Sequence, residues 1–313
     1  MGIVDYSLLS DPRSKSTLRF LEWCHSLGAG GVQVGLDSLA DDYVDTVHRR
    51  SEALRMYLEV IAELPKAGDA SQFERLVVAA KRAGAVAMRT ACLSGRRYET
   101  LSSLAEWTRF VEDSKARMRL AVRIVEKHRM PLGIENHKDW TLEELVALMK
   151  DYSSEYVGVC LDFGNNLALL DDPTECVELL APYAVSTHVK DMAVEECEEG
   201  FLLSEVPLGD GGLDLRRMVE TIRKARPAVK FSLEMITRDP LRIPCLTDKY
   251  WATFPERNGK YLARALRWVR AHRTPKALPR VTGLDAAVRQ LREEENVRKC
   301  LAFASDQLGL AVG

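Results

Sequence analysis

The sequence predicts a closed (β/α)8 barrel over residues 1–273, followed by a linker and a C-terminal helical extension over 274–313. Three observations carry that prediction. Eight short β-type runs alternate with stretches of helical period, and no second cluster of strands follows, a pattern that favours a closed parallel barrel over an open sheet. Four of the later runs end on a residue able to ligate a metal: Glu135 in PLGIENH, Asp162 in VGVCLD, His188 in VSTH and Glu234 in KFSLE. These four are 27, 26 and 46 residues apart, each step about one β/α unit, and the surplus in the last matches a polar hairpin-like insert, EECEEGFLLSEVPLGDGG.

In chain order, residues 3–9 (IVDYSLL) read as the first strand and 17–27 as a helix stopped by GAGG. GVQVGL at 31–36 is the second strand, 41–54 a polar helix, 56–64 the third strand, and 73–83 a helix stopped by Gly84. The fourth strand is 85–93. The longest helical pattern, about 101–129, shows Leu104, Trp107, Phe110, Val111, Met118, Val122 and Val125 on one face and is ended by Pro131. After the strand of Glu135, a helix at 141–151 opens with the capping box Thr141 and Glu144. The strand of Asp162 leads to a short helix near 174–180, the strand of His188 to the inserted hairpin and a helix at 213–225, and the strand of Glu234 to an eighth helix at 259–272. The two prolines of 274–281 mark a surface linker. Beyond them Leu284, Val288, Leu291, Val297, Leu301, Ala304 and Leu308 form an amphipathic helix outside the barrel count.

Composition narrows the function classes. A hydrophobic fraction of 46% supports a large core, and 44 Lys and Arg against 46 Asp and Glu leave a net charge of −2, so neither nucleic acid nor an anionic membrane is an expected partner. Seven scattered cysteines show no CxxC or framework spacing and read as reduced thiols. The first strand begins almost at once and no apolar run reaches membrane-spanning length, so the expected location is the cytoplasm.

Carboxylates left unpaired at the ends of buried strands cost several kcal/mol, and a divalent cation is the simplest common partner for four such residues. Singly, each has another reading: Glu135 pairs with an arginine, Asp162 caps the next helix, His188 is a satisfied core histidine, Glu234 is an ion-pair partner. Around them, His137 is expected to face the substrate. Lys190 either steadies an enolate oxygen or pairs with Asp191. Arg89, inside the fourth strand, clamps a ligand or partners a carboxylate, or else bridges Glu59 of the third strand. Arg96, Arg97, Trp251, Phe254 and Arg257 form either a rim for a sugar ring or solvated loops.

As a set, IENH, CLDFGN, HVKD, GDGGLD and SLEM resemble the xylose isomerase-like TIM barrels, the sugar-phosphate isomerase/epimerase group that also includes ketose 3-epimerases, inosose dehydratases and endonuclease IV, over roughly residues 3–272. The resemblance implies that Glu135, Asp162, His188 and Glu234 hold a divalent metal and that Glu135 and Glu234 are also the acid/base pair. Ketose 3-epimerases carry a histidine three residues after the aspartate, where this chain has Asn165, taken here as a substrate-binding position.

The expected function is therefore a metal-dependent isomerase or epimerase of a sugar, keto-sugar or sugar phosphate, working through proton abstraction α to a carbonyl. The oxygen-rich ligand set suits Mn2+, Mg2+ or Co2+, with Zn2+ also accommodated. A dehydratase or lyase would use the same enolate. An endonuclease IV-like phosphodiesterase would need more histidine at the mouth than His137 and His188 supply, and a sugar-binding barrel without catalysis is the remaining class. The apolar face of the C-terminal helix needs a cover, either the barrel's outer helices or a second subunit, so a homo-oligomer is expected.

Overall fold

A computed structural model describes residues 1–274 and 276–310; Pro275 of the expected linker and residues 311–313 lie outside the described residues. Eight parallel strands close into a barrel: β1 (Gly2–Val4), β2 (Gly31–Val34), β3 (Tyr57–Ile61), β4 (Ala87–Thr90), β5 (Leu132–Glu135), β6 (Val157–Asp162), β7 (Ala184–Val189) and, after an inserted hairpin of β8 (Asp191–Cys197) and β9 (Gly200–Val206), β10 (Ser232–Leu233). β10 pairs with β7 on one side and β1 on the other, which seals the ring.

The outer helices are α1 (Thr17–Ser26), α2 (Asp41–Ala53), α3 (Ser71–Arg82), the short α4 (Arg97–Thr100), α5 (Leu104–His128), α6 (Leu142–Tyr152), α7 (Pro173–Leu180), α8 (Leu215–Ala225), the short α9 (Asp248–Trp251), α10 (Gly259–Ala271) and α11 (Ala286–Leu308). The capping box of Thr141 and Glu144 forms as the sequence predicts, each satisfying a backbone N–H of the other.

Three expectations are corrected. The first strand ends at Val4 rather than residue 9, because Asp5–Leu8 turn into a 3-10 helix in which the Ser7 hydroxyl donates to the Leu233 carbonyl at 3.1 Å and accepts from Met235 N–H at 3.0 Å, tying the turn to β10. The inserted hairpin gains a third antiparallel strand, β11 (Leu241–Ile243), which pairs with β9. Finally, α10 lies over the insert and the neighbouring helices, with Arg270 on Glu196 and Arg264 on Glu175. It is α11, expected outside the barrel's own helices, that runs beside α8 and the turn after β1. Its Val297, Cys300, Ala304 and Leu308 belong to the main hydrophobic core, and buried Glu293 accepts from Ser10 N–H at 2.9 Å.

One irregularity sets the chemistry. Val159 lies opposite Ala184 but Cys160 lies opposite Ser186, so Val185 is the extra residue of a β-bulge. Because side chains alternate with period two, that single insertion brings His188, rather than Thr187, opposite Asp162. Room for the bulge comes from two glycines on the neighbouring strands. A Cβ on Gly158 would lie 2.1 Å from the Tyr183 carbonyl oxygen and 2.9 Å from Val185 Cγ1, and one on Gly133 would lie 2.9 Å from Val185 Cγ2. Gly158→Ala is therefore expected to cost about 1–3 kcal/mol by overpacking against a carbonyl that cannot move aside. Urea denaturation of the variant beside the parent checks it.

Candidate metal centre and active site

Strand-end geometry brings four side chains to one point. Glu135 closes β5, Asp162 closes β6, His188 lies in β7 and Glu234 follows β10, at the carboxyl ends of the strands. Each offers a ligand atom, the four atoms lie within 4.8 Å of one another, and all four residues are buried. His188 Nδ1 sits 3.7 Å from Glu135 Oε2, 3.7 Å from Asp162 Oδ2 and 3.4 Å from Glu234 Oε1, and has no hydrogen-bond partner.

The imidazole is oriented from behind. His188 Nε2 contacts Gln33 Oε1 at 2.7 Å, while Gln33 Nε2 donates to Glu59 Oε2 at 2.9 Å, and the same oxygen accepts from Ser232 Oγ at 3.0 Å. With its amide nitrogen committed to Glu59, Gln33 offers only its oxygen to the ring. His188 therefore carries a proton on Nε2 and turns Nδ1 to the carboxylates, and although burial opposes it, the acidic groups around the ring hold the imidazole well above its ordinary range. Burial pushes Glu59 up to about 7 despite these two donors.

The carboxylates are held by different cations. Burial opposes their ionisation, but Arg89 and His188 hold Glu135 well below the ordinary range, Lys190 and His188 hold Asp162 at about 2, and His188 and Lys190 lower Glu234. Arg89 pairs with Glu135 Oε2, and Asn165 Nδ2 donates to Glu135 Oε1 at 2.8 Å. Lys190 bridges Asp162 Oδ2 at 2.8 Å and Glu234 Oε2. The second Asp162 oxygen accepts from Gly164 N–H at 2.9 Å and Asn165 N–H at 2.7 Å, so this residue caps the following turn and faces the cluster at once.

Above the cluster opens a cavity of about 800 Å3 whose wall includes Glu234, Arg89, His137, Lys138 and Arg238, with Arg289 and Glu293 contributed by α11. His137 is half-buried there, and burial together with Lys138 pushes it down to about 3, so its ring is neutral.

Other candidates fall elsewhere. Arg89 is the partner of a carboxylate, as one reading of the sequence has it, but that carboxylate is Glu135 and not Glu59. Asp191 is not the partner of Lys190; it gathers the backbone N–H groups of Met192, Gly209, Gly211 and Leu213. Asn165 and Lys190 lie behind the cavity surface, each about 1% exposed. Trp251 is absent from the cavity wall: its indole N–H donates to the Cys245 carbonyl at 2.9 Å and its ring meets Tyr250 edge-on. The proposed rim arginines are mostly structural. Arg97 is fully buried on the Trp107 ring and paired with Glu144, and Arg257 joins Asp171 to Glu143; Arg96 pairs with Glu99 at the surface. Phe254 stacks on Tyr250.

Residues the sequence reading passed over include Gln33, Asn136, Lys138, Glu205 and Arg238. Gln33 had a visible signal, a single polar residue inside the apolar run GVQVGL. Asn136, within IENH, donates to the Asp162 carbonyl at 2.8 Å and accepts from Asp162 N–H at 2.6 Å, which locks β5 to β6 at the site. Glu205, from the insert, gave no signal beyond an acidic residue in a polar stretch.

A family model described as xylose isomerase-like TIM barrel matches residues 21–272. The 3-oxo-isoapionate decarboxylase of Pectobacterium atrosepticum is 33% identical over 114 residues, 36% of this chain and 42% of that protein. The match thus spans less than half the length of that curated relative. Among solved structures, a D-psicose 3-epimerase determined in the presence of D-fructose superposes with a TM-score of 0.64 at 18% identity, covering 98% of this chain and 99% of the other. A xylose isomerase-like TIM barrel protein from Mycobacterium smegmatis in complex with magnesium gives a TM-score of 0.55 at 16% identity, covering 84% and 92%. At these identities the likeness is one of fold.

Proposed function

Because the chain belongs to the xylose isomerase-like TIM barrel family, we propose that it is a divalent-metal-dependent enzyme acting on a small polyhydroxylated carbonyl compound, shifting a proton α to the carbonyl in an isomerisation or epimerisation. The observation that carries this reading is the buried His188 Nδ1, without a hydrogen-bond partner, facing three carboxylates at 3.4–3.7 Å. Those separations are too long for hydrogen bonds and suit ligands that share a cation. Glu135, Asp162, His188 and Glu234 would hold the ion. Mn2+, Mg2+ or Co2+, with Zn2+ also suited to the set, would supply Lewis-acid stabilisation of the oxyanion that develops on the substrate.

The chain's own groups account for the proton. Glu234 lines the cavity and Glu135 lies across the cluster, so one carboxylate removes the carbon-bound proton and the other returns it, to the opposite face in an epimerisation or to the adjacent carbon in an isomerisation. Arg89 and Lys190, paired with these two carboxylates, keep them ionised and ready to accept. His137 and Arg89 line the wall where a hydroxyl or anionic group of the substrate would rest.

A second reading keeps the enolate but breaks a carbon–carbon or carbon–oxygen bond. It is favoured by the relative named as a decarboxylase and by the cationic cavity wall. The deciding experiment is incubation of the manganese-loaded protein with keto-sugars, inososes, their acids and their phosphates in heavy water. Deuterium uptake with conserved mass supports isomerisation or epimerisation, loss of carbon dioxide or water supports a lyase, and no uptake or turnover with any of them sinks both.

Gln33 offers a further check. Gln33→Leu removes the acceptor that fixes the His188 ring while leaving all four ligands in place, and titration calorimetry is expected to read manganese affinity about 10–100-fold weaker. Unchanged affinity would show that the ring needs no such support.

A further inference from the structure

Lys138 is a buried cation that forms no ion pair among the described residues. It is 3% exposed, lies on the cavity wall, and its hydrogen-bond partner among the described residues is the neutral amide oxygen of Asn165. Two of its three N–H donors therefore have no acceptor among the described residues. The loop that carries it is held in place, which fixes where the side chain starts from. The Lys138 carbonyl accepts from Arg97 N–H at 2.8 Å, and the next residue, Asp139, accepts from Leu93 N–H at 3.1 Å and Trp140 N–H at 2.8 Å. Burial, with Lys190 and Arg238 close by, pulls Lys138 down to about 8, which leaves it charged at neutral pH.

The carboxylates whose charge reaches Lys138 are Asp162 and Glu205; both are already engaged, as is Glu135 beside them. Glu205 holds Arg238 at 2.7 Å and Ile236 N–H at 2.6 Å, Asp162 holds Lys190 and two backbone N–H groups, and Glu135 holds Arg89 and Asn165. Arg238 and Arg89 share the cavity wall with Lys138, and Arg89 Nε is buried without a partner. Buried charge of this kind is costly unless something pairs with it, and the open side here is the cavity.

We propose that Lys138, with Arg238, seats an anionic group of the substrate, a carboxylate or a phosphoryl group, so that the protein acts on a sugar acid or sugar phosphate rather than on a neutral keto-sugar. The inference rests on the cavity being the substrate site of the enzyme proposed above, but its test does not depend on the metal.

The probes are D-gluconate, D-glucitol 6-phosphate and uncharged D-glucitol, with affinities measured by calorimetry on the full chain, once with manganese and once after chelation. The parent is expected to bind one of the two acids at least about tenfold tighter than glucitol, the preferred acid identifying the group as carboxylate or phosphoryl. Lys138→Met should lower that preference roughly ten- to a hundredfold, the scale of a lost hydrogen bond between charged groups, while glucitol binding stays the same. Arg238→Gln, on a different loop and half-exposed, should lower it in the same direction and serves as the test if Lys138→Met proves unstable. A parent that binds neither acid better than glucitol overturns the proposal, as does a folded Lys138→Met that keeps the preference. Manganese uptake is read separately: a parent that binds no manganese removes the metal-dependent reading, while the acid preference still decides the role of Lys138.

Discussion

Glu135→Gln and Glu234→Gln are each expected to lower kcat by about 10²–10⁴, roughly 3–5 kcal/mol in the barrier, with metal content retained. Glutamine keeps the shape and one oxygen of the carboxylate, so the loss isolates proton transfer. At Glu135 the retained oxygen can still face either Arg89 or Asn165, and at Glu234 it can still face Lys190. If a proton is moved between two carboxylates, one variant should still exchange the substrate's α-proton with deuterium yet form little product, and the other should lose exchange as well. Metal analysis of both is essential, because a lost ion would look like a lost base. Two variants with full metal and near-parental turnover would rule out the two-carboxylate mechanism and turn attention to His137 and Lys190.

Asp162→Asn should act on the ion instead. The oxygen that caps Gly164 and Asn165 is preserved in asparagine, so the fold should hold, with an unfolding midpoint close to the parent's. The other oxygen becomes an NH2 group directed at Lys190 and His188 Nδ1, which removes a negative ligand from the centre of the set. Metal affinity is expected to fall by more than about 10²-fold, beyond the usual effect of changing a residue that only supports a ligand, and activity with it. An Asp162→Asn protein that binds manganese like the parent, or a parent that works undiminished in chelator, would mean the four residues were misread.

The alternation of strand and helix was legible because each period writes itself locally into the sequence, and so was the convergence of Glu135, Asp162, His188 and Glu234, since matching positions on consecutive units of a barrel meet at one end. The roles of the surrounding charges were not. Whether Arg89 reaches Glu59 or Glu135, or Lys190 reaches Asp191 or Glu234, depends on strand register and stagger, and here on the bulge at Val185, which no local signal reveals. The loop residues Arg97, Arg257 and Trp251 looked like a sugar rim because loop arginines and aromatics are usually exposed; long-range packing buries Arg97 against Trp107 and ties Arg257 to Asp171 instead. The eighth outer position was misassigned for a similar reason. Periodicity marks 259–272 and 286–308 equally as amphipathic helices and says nothing about which of them lies beside α8.

That placement has a bearing on how the barrel forms. The seam joins β1 to β10, 230 residues later in the chain for Gly2 and Ser232, and is covered from outside by α11, whose end lies so near the first strand that the Met1 amine donates to the Leu310 carbonyl at 2.9 Å. During synthesis the units from β2 to β7 can assemble on their neighbours as they emerge, while β1 waits with its outer edge open until β10 is made and its apolar face open until α11 follows. Closure of the ring is thus a late, long-range event. A chain halted before β10 would present that open strand edge to other nascent chains, and one halted between β10 and α11 would leave the apolar face of the seam uncovered, which makes the seam the place where misassembly would begin.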